Sequence, residues 1–280
     1  MKHLSVFLIA AILLASFGFC VWAAPNEAVD PTQPFETGFV TSGDASLEYA
    51  RYGDPLKESL VLISGNKSDM HGMDGCLKYF TPFFSVLTVS NRATGNSTRG
   101  TGKLTFDVMA DDLCAVLDAL GVEKTHLLGF SDGGNLTLVF AVNHPDRVLS
   151  LVPMSANINP FGTKPIKQIG ICSNYFWKCV NAARTHDPEA ERLRDIQGLM
   201  VWEPQLRFRD LKSINAPTLN IYGENDMMRR SHSRRITRSI PGAKELMMTG
   251  VGHGVDWEQA LPAIYEFYHS ELGIVNSELF

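Results

Sequence analysis

The stretch that decides the fold is Thr125–Val148, THLLGFSDGGNLTLVFAVNHPDRV. Apolar strand formers break at Gly129, present Ser131, and pass Gly133 and Gly134 into a helix-like pattern. A plain glycine-rich turn and a corner that forces one hydroxyl clear of the backbone both fit these residues. The pattern G-x-S-x-G is weak alone, since chance supplies roughly one match in ten chains of this length. Its context is stronger, because a nucleophile elbow needs a strand directly before it and a helix directly after. A strained serine at a sharp turn leaves no room for neighbouring side chains, which accounts for the glycines. The same turn aims backbone N–H groups, that of Asp132 among them, from a helix N-terminus where an oxyanion can be held.

A serine hydroxyl at neutral pH needs a positioned base. Three histidines follow the second-last strand. His232, in RRSHSRRITRSI, and His269, in QALPAIYEFYHSEL, read as surface histidines. His253 ends a strand in GVGHG, on a loop free to reach Ser131, and is the candidate base. The base in turn needs a carboxylate to fix its tautomer. Asp226, past the strand in LNIYGEND, is the candidate; Glu224 is the nearby alternative, and either acid could instead cap the next helix. The loop SGNKSDMHGMDG follows the strand Leu60–Ser64. There Gly65 lets the backbone come close to a substrate, and the N–H of Asn66 is the candidate second oxyanion donor beside that of Asp132. The Asp132 carboxylate has two readings, a partner for a substrate ammonium or a side-chain cap on the following helix.

Working outward, TGFVTSG and LEYARYGD read as a hairpin turning near Gly43-Asp44. SLVLISG, FSVLTVSN, KTHLLGFS, RVLSLVPMSA, APTLNIYGEND and AKELMMTGVGH follow as short apolar runs, mostly without strict alternation. Such runs suit strands buried on both faces. Helical patterns alternate with them. In TFDVMADDLCAVLDALGV, Phe106, Met109, Leu113, Val116, Leu117 and Leu120 share one face and Gly121 stops the pattern. The alternation predicts an α/β fold with a mostly parallel sheet of eight strands and helices on both faces. Ligands of such sheets bind at the carboxyl ends of the strands. Residues 157–214 interrupt the alternation with helix-like segments and read as a short helical lid within a domain spanning 36–280.

The chain has 280 residues, 45% hydrophobic and 20% charged, which suits a globular domain with one large core or two small ones. Its formal net charge of −5 and lack of a long basic run argue against nucleic acid as a partner. Residues 1–23 carry a basic start, an apolar run and small residues at the end, and read as a secretory signal peptide. The alternative is an uncleaved membrane anchor over residues 4–24, about 20 residues being enough to span a bilayer. Cys20 matches a lipoprotein signal poorly. Either route predicts an exported protein, secreted, periplasmic or cell-surface, followed by a linker over residues 24–35. If Cys172 and Cys179 share one helix they stand ~10 Å apart, so a disulfide there requires a break in it. No C-x-x-C or His/Cys cluster suggests a metal site. Asn66, Asn96 and Asn135 begin N-x-S/T sequons; a glycan on Asn66 would block the site and one on Asn135 would fall inside the elbow helix. They are therefore discounted, which suits a bacterial exported protein.

With LISGN, GFSDGGN, PTLNIYGENDMM and GVGHG in this order, the chain resembles the α/β-hydrolase superfamily over residues 36–272. The form S-D-G-G is similar to the branch of valacyclovirase-like and small-ester hydrolases. The resemblance implies a serine hydrolase without a cofactor: Ser131 attacks a carbonyl, His253 relays the proton, and water releases the acyl group. The implied partner is a small-molecule ester or acyl substrate, with membrane contact only through an uncleaved N-terminal segment. A thioesterase, an amidase, a C–C hydrolase and a non-catalytic binding protein on the same scaffold are the rival readings. Two departures stand near the mouth of the site. Ser64-Gly65 replaces the His-Gly of many relatives, and SNRATGNS puts Ser90 and Ala93 where many have Asp and Gly.

Overall fold

The computed structural model describes Asp30 and residues 32–274. The expected export segment, residues 1–23 or 4–24, and much of the 24–35 linker lie outside the described residues. Among the described residues no helix is long and apolar enough to cross a membrane.

The apolar runs become β1 (Glu36–Ser42), β2 (Ala45–Tyr52), β3 (Ser59–Ile63), β4 (Ser85–Val89), β5 (Thr125–Phe130), β6 (Val148–Met154), β7 (Leu219–Gly223) and β8 (Lys244–Met248). They form one eight-stranded sheet in the order β1-β2-β4-β3-β5-β6-β7-β8. β1 and β2 pair antiparallel, as does β2 with β4, and every other neighbour is parallel. The antiparallel edge is the opening hairpin.

Successive strand side chains point to opposite faces, and here both faces are apolar. Val61, Ile63 and Leu127 join one core cluster, while Leu60, Leu62 and Leu128 join the other. The first cluster is completed by α2 (Phe106–Ala119) and α3 (Asp132–Asn143), the second by α1 (Asp74–Phe80) and α7 (Trp257–Leu272). α2 follows its periodicity: Phe106, Met109, Leu113, Val116 and Leu117 are buried. Its N-cap, Thr105, accepts a hydrogen bond from the Val108 N–H at 3.2 Å, and Gly121 leaves it with φ +68°.

The insertion between β6 and β7 contains α4 (Pro165–Thr185) and α5 (Pro188–Trp202); α6 (Arg230–Ser239) follows β7. α5 is tied to the body of the domain. Asp195 meets Arg99 at 2.6 Å, the Ile196 carbonyl accepts from Asn66 at 3.0 Å, and Arg192 reaches the Ala93 carbonyl at 2.5 Å. α4 packs on α5 and buries only Ala182. Cys172 and Cys179 both lie on this uninterrupted helix and are free thiols.

His232 is where the structure overturns the sequence reading. It is buried, 8% exposed, and its Nε2 accepts the Ile158 N–H at 3.2 Å. Its ring meets Phe208 edge-on and fits against Gly162. The cations around it in sequence are real, but Phe208 and Gly162 come from the insertion and cover the imidazole. Burial, reinforced by Arg229 and Arg235, pushes its pKa down to about 4. His269 lies near the end of α7 and is exposed, as the sequence suggests.

Candidate active site

β5 ends at Phe130 and α3 begins at Asp132, so Ser131 alone makes the turn. Its backbone takes φ +55° and ψ −118°, a conformation an L-residue adopts only when its surroundings force it. The glycines make room for that corner. A Cβ on Gly129 would overlap the backbone of Gly133, and one on Gly133 would overlap the carbonyl of Ile63 at the end of β3. The corner is pinned by the Ser131 N–H, which donates to the Met154 carbonyl at 2.8 Å.

The three residues singled out in the sequence meet at the carboxyl ends of β5, β7 and β8. Ser131 Oγ lies 2.9 Å from His253 Nε2, and His253 Nδ1 lies 2.7 Å from Asp226 Oδ1. Ser131 and Asp226 are buried, whereas the His253 side chain is one-quarter exposed. Burial opposes ionisation of Asp226, but the hydrogen bond and charge of His253 outweigh it. The Ser155 hydroxyl and the Met228 N–H add to the effect and hold the carboxyl below its ordinary value. A carboxylate so placed fixes His253 with its proton on Nδ1, leaving Nε2 to accept from Ser131.

His253 does not end a strand. β8 stops at Met248, and the following turn carries the imidazole to the serine. That turn is held by the residues after β7. The Asn225 N–H donates to the Val251 carbonyl at 2.7 Å, and the Glu224 carboxylate accepts the Gly250 N–H at 3.0 Å. Glu224 therefore braces the histidine loop while Asp226 faces the histidine. Sequence reasoning weighed the two acids as rivals for the histidine or as helix caps, and not as a brace for the histidine loop.

Asn66 and Asp132 flank the serine as expected, and no described group accepts from either backbone N–H. Their side chains do something the sequence did not suggest. Asn66 Nδ2 donates to Asp132 Oδ2 at 2.7 Å, and Asn135 Nδ2 approaches Asp132 Oδ1 at 3.3 Å. Asp132 makes no side-chain cap, because the N-cap position is Ser131. Burial pushes the Asp132 carboxyl up to about 6, against the opposing pull of Asn66 and His253. With Gly65 and Asn66 it lines a crevice of only about 20 Å³. Asn135, discounted as a glycan site, is buried and donates to Asn157 Oδ1 at 3.1 Å.

A larger cavity, about 370 Å³, opens on the other side of His253. Phe130, Met73, Val255 and Trp257 supply apolar walls, with Gly72 and Gly254 at its border. Cys76 also lines it, but its thiol donates to the Met73 carbonyl at 2.9 Å and burial pushes its pKa up to about 12. It is wall, because an un-ionised thiol is not a nucleophile. Gly65, placed at the substrate by sequence, lies against the serine: a Cβ there would stand 3.3 Å from Ser131 Cβ.

The second departure near the mouth, Ser90 and Ala93, has structural consequences. Ser90 donates to Glu48 at 3.1 Å and accepts from the Met70 N–H at 3.1 Å. Ala93 keeps the left-handed backbone that glycine would adopt freely, with φ +65°. Beside them Arg92 forms a two-pronged pair with Asp112, at 2.5 and 2.9 Å, and reaches Asp44 at 2.6 Å.

The strained serine at its strand-to-helix corner, with His253 and Asp226 on loops after later strands, sits in a fold that known proteins share. Residues 59–177 match the family described as alpha/beta hydrolase fold. The chain has the α/β-hydrolase fold and is an enzyme, a hydrolase of that fold. It is 29% identical to a protein named putative carbamate hydrolase RutD from a Caulobacter strain, over 61% of this chain and 74% of that one. The protein of the same name from Caulobacter segnis is 36% identical over a shorter span, 40% of this chain and 43% of the other. A 2-hydroxy-6-oxononadienedioate/2-hydroxy-6-oxononatrienedioate hydrolase from Paraburkholderia phymatum is 26% identical, over 73% of this chain and 83% of that one. Among solved structures, a hydrolase from Pseudomonas aeruginosa superposes with a TM-score of 0.68 at 25% identity, covering 86% of this chain and 100% of that one.

Proposed function

We propose that the chain is a serine hydrolase of small carboxylic esters or related acyl substrates, working through an acyl-enzyme. The observation that carries the reading is the Ser131–His253–Asp226 relay, with contacts of 2.9 and 2.7 Å, set beside two backbone N–H groups that no acceptor among the described residues occupies. Ser131 Oγ adds to the carbonyl carbon as His253 Nε2 takes its proton, and Asp226 stabilises the imidazolium. The developing oxyanion lies between the N–H groups of Asn66 and Asp132. His253 returns the proton to the leaving group, and a water activated by the same imidazole then releases the acyl group.

The 370 Å³ cavity beside His253 is at the small end of ligand pockets and mostly apolar, which favours a compact, uncharged group there. The relatives named as carbamate hydrolases support testing carbamates beside esters. The apolar run over residues 4–24 supports placing this chemistry outside the cytoplasm. A panel of p-nitrophenyl esters of rising acyl length, with a matched carbamate, thioester and anilide, tests the reading. Short neutral esters are expected to turn over fastest, and Ser131→Ala to abolish turnover. Hydrolysis of the whole panel at the uncatalysed rate by folded protein would overturn it.

A further inference from the structure

Large apolar side chains are exposed at nine described positions, and six of them, Phe161, Ile166, Ile169, Phe176, Trp177 and Trp202, belong to the insertion. Phe161 is 81% exposed and Ile166 74%. The α4 helix has 21 residues and buries only Ala182, so its outward face has no partner among the described residues. At 100° per residue, Ile166, Ile169, Cys172, Phe176 and Trp177 fall within an arc of roughly 140°. The opposite face meets α5, where Gln168 Nε2 donates to the Met200 carbonyl at 3.2 Å and Tyr175 packs edge-on against Trp202. An isolated exposed leucine means little, but a contiguous aromatic and aliphatic stripe on a monomer marks an interaction surface.

The segment that carries the stripe is one-signed in charge. From Asn157 to His186 the chain contains Lys164, Lys167, Lys178 and Arg184 and not one Asp or Glu, in a protein of net charge −5. Arg184 falls within the apolar arc, Lys167 and Lys178 lie on the far side of α4, and Arg229 borders the groove formed by Phe161, Pro165 and Ile169. Apolar and aromatic residues on an outward helix face, with basic side chains on and beside that face, are the signature of a helix lying in a membrane interface. Acidic headgroups supply the charge complementary to these side chains.

We infer that the outward face of α4, with Phe161, docks on an anionic lipid surface. The sequence confined membrane contact to residues 4–24; this is a second, folded contact, independent of the reaction performed at Ser131. α5 carries α4 directly over the loop beside the serine, through the bond from Asn66 to the Ile196 carbonyl. The membrane-facing surface and the loop beside Ser131 are thereby joined by one helical hairpin.

The test is flotation of the full-length protein with vesicles of equimolar phosphatidylglycerol and phosphatidylcholine, and with phosphatidylcholine alone. Wild type is expected to float with the anionic vesicles and to be released by salt. Phe176→Ser with Trp177→Ser, and separately Arg184→Glu with Arg229→Glu, are each expected to weaken partitioning about tenfold or more. Unchanged thermal unfolding and unchanged hydrolysis of a soluble ester show that the variants remain folded. Binding that is the same in wild type and both variants would assign it to residues 4–24 and overturn the inference. So would absence of vesicle binding combined with a concentration-dependent dimer that Phe176→Ser with Trp177→Ser dissociates, because the stripe would then belong to a second copy.

Discussion

The amide of Asn66 donates to the carboxylate of Asp132 at 2.7 Å, joining the loop after β3 to the residue after the candidate nucleophile. The two backbones proposed to hold an oxyanion are thus fastened together by their own side chains. Asp132 is thereby committed inside the protein and lines a crevice too small for a substrate group. Replacing it with Asn is expected to change kcat/KM equally for neutral and cationic esters. A selective loss on cationic esters would restore the carboxylate as a substrate partner.

Asp132 also makes a signed prediction for stability. Burial raises its folded pKa from 3.8 to about 6. Its contribution is therefore fully present below 3.8 and is lost as pH rises through about 6. In Asp132→Asn the unfolding free energy should lack this fall between pH 4 and 6, measurable by urea titration at each pH.

Asp226 and Glu224 are two residues apart and have separate tasks. Asp226→Asn is expected to lower kcat roughly ten-thousand-fold, because the imidazole loses the partner that fixes its tautomer. Glu224→Gln loosens the bond to the Gly250 N–H and the partly exposed pair with Arg230 at 3.4 Å. It should cost about 1 kcal/mol of stability and leave kcat/KM within about fivefold. Steady-state kinetics on one ester separates the two.

Gly65 tests how tightly the two loops must approach. An alanine there would put its Cβ 3.3 Å from Ser131 Cβ, where one partner has to give. Gly65→Ala should lower kcat about 10- to 100-fold with little change in KM, since the displaced group is a donor to the transition state. A kcat equal to wild type would remove this loop from the oxyanion site.

His232 gives the fold a weakness to acid. Its folded pKa is depressed from 6.5 to about 4, so its contribution is present above pH 6.5 and is lost as pH falls toward 4. The full loss is at most about 3 kcal/mol. Gln can accept the Ile158 N–H in the same place and carries no proton. His232→Gln should therefore flatten the decline in stability between pH 6.5 and 4.

The alternation of both-face-buried strands with amphipathic helices was legible because apolar periodicity is local in sequence. So was the juxtaposition of Ser131, Asp226 and His253, because each sits where glycine or a polar loop punctuates an apolar run. What escaped were relations set by distant packing. Nothing beside Asn66 announces that its amide binds a carboxylate 66 residues away. His232 looks solvated among arginines, and only the insertion, folding back with Phe208 and Gly162, buries it. Ala93 was visible as a departure from the family pattern, yet its φ of +65° shows that the backbone kept the glycine conformation after the residue changed.

The central claim is that Ser131 is a nucleophile activated by His253 and Asp226. It is tested most directly by intact-mass analysis of the folded protein after treatment with a fluorophosphonate. One adduct per chain is expected, located on Ser131, absent in Ser131→Ala and strongly slowed in Asp226→Asn, with ester turnover lost in proportion to labelling. A folded wild-type protein that takes up no adduct, or a Ser131→Ala variant that still turns over esters, would contradict it.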